Sequence, residues 1–247
     1  MADSLAGMRE QLTTGLAALV LAAGAGQRLR PLTELRPKAL CPVLDRPLVD
    51  HALDRVRAAA PDLRLAVNAH HGGAQLLEHF ADAPVHVSFE VGQVRGTAGA
   101  IGYLRPWLAG RGVLVVNADI ATDIPLHGLL DGWTGERHRV LVVGAEPFGP
   151  TSRVAGALVP GAVADGLDDA PSGLWEVCWR DAWRRGELEV VHADGVFFDC
   201  GTPASYLAAN LDALRRAGSP AGRPGVVNSV IGSGAAVAGT VVDSVVW

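Results

Sequence analysis

Among 247 residues there is one lysine, Lys38, beside twenty arginines, 21 basic residues in all. An arginine bias of this kind reflects GC-rich coding, so the lysine that survives it calls for a chemical reason. Cysteine is scarce: Cys41, Cys178 and Cys200 are odd in number and lack metal-ligand spacing, which excludes a disulfide scaffold and leaves small buried hydrophobes in a reducing compartment. Positive charge is in deficit, with a net charge of -5, so neither nucleic acid nor an anionic membrane is the expected partner. Long apolar runs are missing too. Leu16 to Ala25 is too short to span a bilayer, and residues 1–15 carry Asp3 and Glu10 without the apolar stretch of a secretion signal. A cytoplasmic protein is expected. What the chain has is 49% hydrophobic residues, enough at this length for a full α/β core.

From Leu16 onward apolar runs alternate with helical patterns. Strands are expected at 16–22, 63–67, 85–89 and 113–117, and helices at 47–60, 73–80 and 97–108. This alternation predicts an open, doubly wound, mostly parallel sheet of the Rossmann-like kind, with its ligand site at the carboxyl ends of the strands. Three places qualify: 22–38, 68–72 and 117–119. Further on, strands are expected at 140–143 and 154–159 and a short helix at 174–183, where Trp175, Trp179 and Trp183 share one side as packing, a lid or a sugar platform. Strands at 187–192 and 196–198 flank Ala193-Asp194-Gly195 as a hairpin. A helix at 202–216 precedes a Gly/Pro-rich linker, 218–225. In 226–247 apolar residues recur six apart, resembling the hexapeptide repeat of a left-handed β-helix. One such coil cannot bury its own apolar face, so it docks on the main domain, 16–217, or joins a second copy in a homodimer.

Chemistry concentrates in Leu21-Ala-Ala-Gly-Ala-Gly-Gln-Arg-Leu-Arg-Pro-Leu-Thr-Glu-Leu-Arg-Pro-Lys38. A buried strand runs through Ala22 and Ala23 into a loop with Gly24 and Gly26, where backbone N–H groups can approach a triphosphate. Arg28, Arg30, Arg36 and Lys38 add positive charge. Leu29 occupies the third glycine position of a dinucleotide fingerprint, which disfavours an NAD-dependent oxidoreductase, and no Walker A lysine follows. This stretch resembles the N-terminal motif of the sugar-1-phosphate nucleotidyltransferases, with Gln27 in place of the usual threonine. The resemblance implies that Arg28 and Lys38 are the catalytic, phosphate-binding cations. It also covers Pro42-Val-Leu-Asp-Arg-Pro-Leu48, and Glu90 with Gly96-Thr97-Ala-Gly-Ala100 as a nucleobase loop, in which Glu90 could accept a hydrogen bond from guanine. Asn117-Ala-Asp119 and Asp199-Cys-Gly-Thr-Pro203 are similar to the family's two aspartate motifs. The implied cofactor is Mg²⁺ on Asp119 and Asp199, since Mg²⁺ takes one or two carboxylates together with substrate phosphates.

The implied reaction joins an NTP and a sugar 1-phosphate into an NDP-sugar with release of pyrophosphate. Guanylyl and uridylyl transfer are both expected candidates, GTP slightly ahead. The nucleophile is an ionised phosphate, so no catalytic base is required, and charge neutralisation and positioning carry the rate. His70-His71 resembles a turn of some family members at the edge of the cleft, and as a metal pair it is poor because adjacent side chains need not converge. On the sugar side Asn68, Arg153 and Gly156 are candidate contacts. Family members carry a second lysine there, and this chain has none to supply. Arg153 is the candidate substitute, although a guanidinium differs from an ammonium in reach and geometry. The shortened sugar region keeps a second class open, a non-catalytic regulatory subunit that binds nucleotide-sugars.

Overall fold

The computed structural model describes residues 15–218 and 225–247. The expected extension over 1–15 and linker over 218–225 lie, apart from their flanking residues, outside the described residues. In chain order the strands of the main domain are β1 (Leu16–Leu21), the short pair β2 (Pro42–Val43) and β3 (Arg46–Pro47), β4 (Arg64–Ala69), β5 (Val85–Phe89), β6 (Gly112–Asn117), β7 (Ile120–Thr122), β8 (His138–Val143), β9 (Val154–Val159), β10 (Leu188–Ala193) and β11 (Phe197–Asp199). The helices are α1 (Leu32–Leu35), α2 (Leu48–Ala59), α3 (Gly73–His79), α4 (Gly96–Leu108), α5 (His127–Leu130), α6 (Gly161–Gly166), α7 (Arg180–Arg184) and α8 (Pro203–Arg216). Seven of the strands form the core sheet in the order β10-β8-β9-β6-β1-β4-β5. Only β9 runs against the rest, antiparallel to both β6 and β8. The sheet is thus mixed and mostly parallel.

Both faces are covered, as a strand of continuous apolar residues requires. Leu16, Ala18 and Val20 of β1 point into one cluster, against α2. Ala17 and Leu19 point into the other, against α4. In α2 the buried residues Val49, Ala52, Leu53 and Val56 recur at helical spacing, which is why that segment coils rather than extends.

Three glycines of α4 form a stripe against the chain at 168–172. A methyl group built on Gly96, Gly99 or Gly102 would stand 2.5, 2.2 and 1.9 Å from the carbonyl oxygens of Ser172, Ala170 and Asp168. The contact is with backbone, which cannot swing aside as the end of a flexible side chain can. After it, Trp175–Trp179 winds as a π-helix into α7. Trp175, Trp179 and Trp183 gather round Phe148, ring centroids 5.5, 6.1 and 5.8 Å away. They line one side, as their spacing predicted.

The expected hairpin at 193–195 does not form. β10 pairs in parallel with β8, while β11 leaves the sheet and pairs antiparallel with β7. Each strand takes the free edge that its neighbours offer, and Asp123 accepts from the Val196 backbone N–H at 2.8 Å to fix the departure. The C-terminal segment holds two parallel ladders, β12 (Val226–Val227) with β14 (Val241–Val242) and β13 (Val230–Ile231) with β15 (Val245–Val246). Their offset is 15 residues (241 minus 226), not a multiple of six. The segment docks on the main domain: Trp247 meets Tyr206 edge-on at 6.4 Å, and the Arg36 guanidinium lies 4.4 Å above the Trp247 ring.

Candidate active site

Leu21 at the end of β1 sits opposite Asn68 in β4 and Asn117 in β6, so the loops leaving these strands converge at one edge. In the first loop Ala22 and Ala23 are buried, whereas Gly24 is exposed and nothing lies within 4 Å of where its side chain would be. A phosphate can therefore approach that backbone closely. Gly26 adopts a left-handed φ of 60°, and a side chain there would meet Thr33 Cγ2 at 2.7 Å and Lys38 Cβ at 3.2 Å. The Thr33 hydroxyl donates to the Gly26 carbonyl at 2.9 Å. The loop is thereby fastened over Lys38, and Thr33 emerges as a support that the motif contained but its chemistry did not single out.

Lys38 opens a 3-10 turn (Lys38–Leu40) and its ammonium pairs with Asp119, side-chain exposures being 14% and 28%. Asp119 follows β6, and its carbonyl accepts from Cys200 N–H at 2.9 Å. Asp199 in β11 registers with Ile120 in β7. Two aspartates 80 positions apart (199 minus 119) are thus brought to neighbouring positions of a short antiparallel pair, Asp199 one place from the residue that bonds to Asp119. Arg28 completes the group. A methyl built on Gly201 would lie 2.8 Å from both Arg28 Nη2 and Asp199 Oδ1, so both side chains crowd the same glycine. Among the described residues Arg28 makes no ion pair. Four charged residues taken from three distant motifs are brought together.

This set contains no activated nucleophile. Burial pushes the Cys200 thiol up to about 12 and the Cys41 thiol to about 11, so neither is a thiolate at neutral pH. Nor is there, among the described residues, a group of three or more His, Cys, Asp and Glu able to hold a metal. Two carboxylates without a further protein ligand match the donor set of a Mg²⁺ that takes its remaining ligands from phosphate and water.

Where β4 and β5 end, Asn68 and Glu90 lie buried beneath the loops, so Asn68, expected as a contact on the sugar side, is turned into the protein instead. Ala22 N–H donates to Asn68 Oδ1 at 2.6 Å, Asn68 Nδ2 donates to Glu90 Oε1 at 2.8 Å, and Arg95 N–H donates to Glu90 Oε2 at 2.8 Å. The backbone carbonyl of Glu90 lies 2.8 Å from His70 Nδ1. Gly96 has a φ of 72°, which favours glycine, and the Thr97 hydroxyl accepts from Leu174 N–H at 2.8 Å. The start of α4 is thus pinned from both sides.

Asn117 also lines a cavity of about 180 Å³, together with Leu21, Thr97, Gly156, Leu174, Trp175 and Trp179 among others. Gly156 contributes backbone only, since a side chain there would strike Leu126 Cδ2 at 2.8 Å. Arg153, exposed just ahead of β9, has its guanidinium 5.9 Å from the ring of Phe197. Phe197 and Asp199 share a face of β11 because strand side chains alternate.

The chain is similar to the N-acetylmuramate alpha-1-phosphate uridylyltransferase of Caulobacter vibrioides, 39% identical with 78% of this chain and 94% of the relative covered. It is also similar to the protein of the same name from Neisseria meningitidis, 37% identical over 43% of this chain and 48% of the relative, so the chain spans about half of that relative's length. A solved UDP-glucose pyrophosphorylase complexed with UDP-glucose shares the fold, with a TM-score of 0.65 at 16% identity, covering 81% of this chain and 98% of the other. The family model described as nucleotidyl transferase matches residues 17–147, which hold the glycine loop, Lys38, Glu90 and Asp119. The chain belongs to the nucleotidyl transferase family.

Proposed function

We propose that the protein transfers a uridylyl group from UTP to a sugar 1-phosphate of the N-acetylmuramate 1-phosphate class, releasing pyrophosphate. The observation that carries this reading is the convergence of Arg28, Lys38, Asp119 and Asp199 beside the open Gly24 backbone. A phosphate oxygen of the sugar attacks the α-phosphorus, the new P–O bond forms, and the bond to the β-phosphate oxygen breaks in line with it. The attacking phosphate is ionised near neutrality, so no proton has to be removed. Arg28 and Lys38 neutralise the charge that gathers on the transferring group, worth about 10²–10³ in rate for one well-placed donor. Asp119 and Asp199 would hold Mg²⁺, which supplies Lewis-acid neutralisation of the phosphates. Lys38, paired with Asp119 in the unliganded protein, would turn its ammonium to a bound phosphate.

Uridine is favoured over guanine on two grounds. Two similar proteins carry uridylyltransferase names, and both carboxylate oxygens of Glu90, the residue that pointed to guanine, already accept protein N–H groups. For the sugar phosphate we assign Arg153 in place of the missing lysine, with the cavity beside Asn117 taking the sugar. The parallel ladders of 226–247 are read as a single β-helix-like coil with a 15-residue offset in place of the expected hexapeptide repeat, its open edge pairing two copies, and the protein as cytoplasmic. Pyrophosphate release across four NTPs and a panel of sugar 1-phosphates tests the proposal. Turnover with UTP supports it, whereas tight NDP-sugar binding without turnover favours a regulatory subunit.

A further inference from the structure

We infer that Glu90 is a positioning residue that locks the phosphate loop to the start of α4, and that it does so through hydrogen-bond polarity rather than by touching the nucleobase. The chain of bonds has no freedom of direction. The Ala22 N–H is a fixed donor, so Asn68 must turn its oxygen toward it. Its amide NH₂ then faces Glu90, which must accept. At the other end the Arg95 N–H is again a fixed donor, so Glu90 must accept there as well. Only a side chain that accepts at both ends satisfies the chain, and among residues of this length that is a carboxylate.

The two inner links are out of water and the Arg95 link is partly so: Glu90 is 0% exposed and Asn68 3%. A mismatch would leave a buried N–H facing another N–H, with no solvent to relieve it. The chain bridges the carboxyl ends of β1, β4 and β5, where Leu21 registers with Asn68 and Asn68 with Ser88. It thereby sets the spacing between Ala22, which opens the loop over Lys38, and Arg95, which precedes Gly96. The Ala22 N–H is engaged in this bond, so phosphate contact in the loop falls to the residues beyond it.

A double swap tests the polarity directly. Glu90→Gln places an NH₂ against Asn68 or Arg95. Adding Asn68→Asp restores every bond: the carboxylate introduced on β4 accepts from Ala22 and from the new amide, whose oxygen accepts from Arg95. Net charge and atom count are nearly unchanged. Amide hydrogen exchange on the unliganded protein should show Ala22 and Arg95 losing protection together in Glu90→Gln and regaining it in the double variant. The Michaelis constant for UTP should rise about tenfold or more in Glu90→Gln, and return to within about threefold of wild type in the double variant, while that for the sugar phosphate moves much less. If Glu90→Gln does not fold, a double variant that folds with wild-type protection of both amides and wild-type UTP constant is the same result. A double variant as impaired as Glu90→Gln, or a Glu90→Gln that matches wild type, overturns the inference. The kinetic arm rests on the uridylyl-transfer reading and the exchange arm does not: a wild-type protein without turnover defeats that reading and leaves the exchange result to decide this one.

Discussion

Replacing Gly201 by alanine adds one methyl group where the Arg28 and Asp199 side chains already crowd the backbone. The built methyl lies 2.8 Å from Arg28 Nη2, 2.8 Å from Asp199 Oδ1 and 3.5 Å from Arg28 Cζ. Ordinary contact begins about 0.6 Å further out, at 3.4 Å, so at least one of the two side chains must withdraw by that amount. Both atoms are at the ends of side chains that can rotate, and Gly201 does not have the positive φ that would strain alanine. Stability should therefore change by less than about 1 kcal/mol. Catalysis that depends on positioning is less forgiving: a displacement near 1 Å costs on the order of 10²-fold. A loss of roughly 10- to 100-fold in kcat is expected for the shorter movement. Pyrophosphate release measured beside a thermal melt separates the two effects. A Gly201→Ala protein with wild-type turnover would show that Arg28 and Asp199 are not held for chemistry at this glycine.

Three further outcomes follow from the same geometry. Lys38→Arg should lower turnover by about 10²-fold or more, because a planar fork does not replace a compact ammonium in the narrow space under Gly26; full activity would make Lys38 a mere survivor of coding bias. Asp119→Asn and Asp199→Asn should each reduce kcat by about 10²–10³ with the melting curve little changed, as a carboxamide cannot carry the charge a phosphate-bound metal requires. For His138, burial holds the folded-state value down at about 4 against the usual 6.5. The unfolded chain therefore takes up the proton first as pH falls. This contribution to stability is intact above about pH 6.5 and is lost on the way to pH 4, amounting to about 3 kcal/mol. Urea titrations should show His138→Leu gaining that much on wild type between pH 7 and pH 4, and no relative gain would refute the assignment.

The parallel half of the sheet was legible because β1 and β6 are continuous apolar runs and α2 has a clean helical period. The glycine loop was legible for a related reason: Gly26 and Lys38 are close in sequence as well as in space. Asp119 and Asp199 were individually visible in motifs, but their adjacency depends on β11 leaving the main sheet for β7, and local spacing pointed instead to a hairpin. Glu90 illustrates the opposite limit. A carboxylate after a strand reads as exposed or ligand-facing, and what buries it is Asn68 on another strand together with the backbone of Arg95. The tryptophans were correctly placed on one side, whereas Phe148, the residue they surround, carried no periodic signal.

The proposed reaction turns on attack at the α-phosphorus of UTP by a sugar 1-phosphate. UTP labelled at that phosphorus, incubated with the protein, Mg²⁺ and N-acetylmuramate 1-phosphate, should pass its label to the UDP-sugar in equal amount to the unlabelled pyrophosphate released. Label that stays in UTP, or emerges as UMP without a sugar product, would contradict the account.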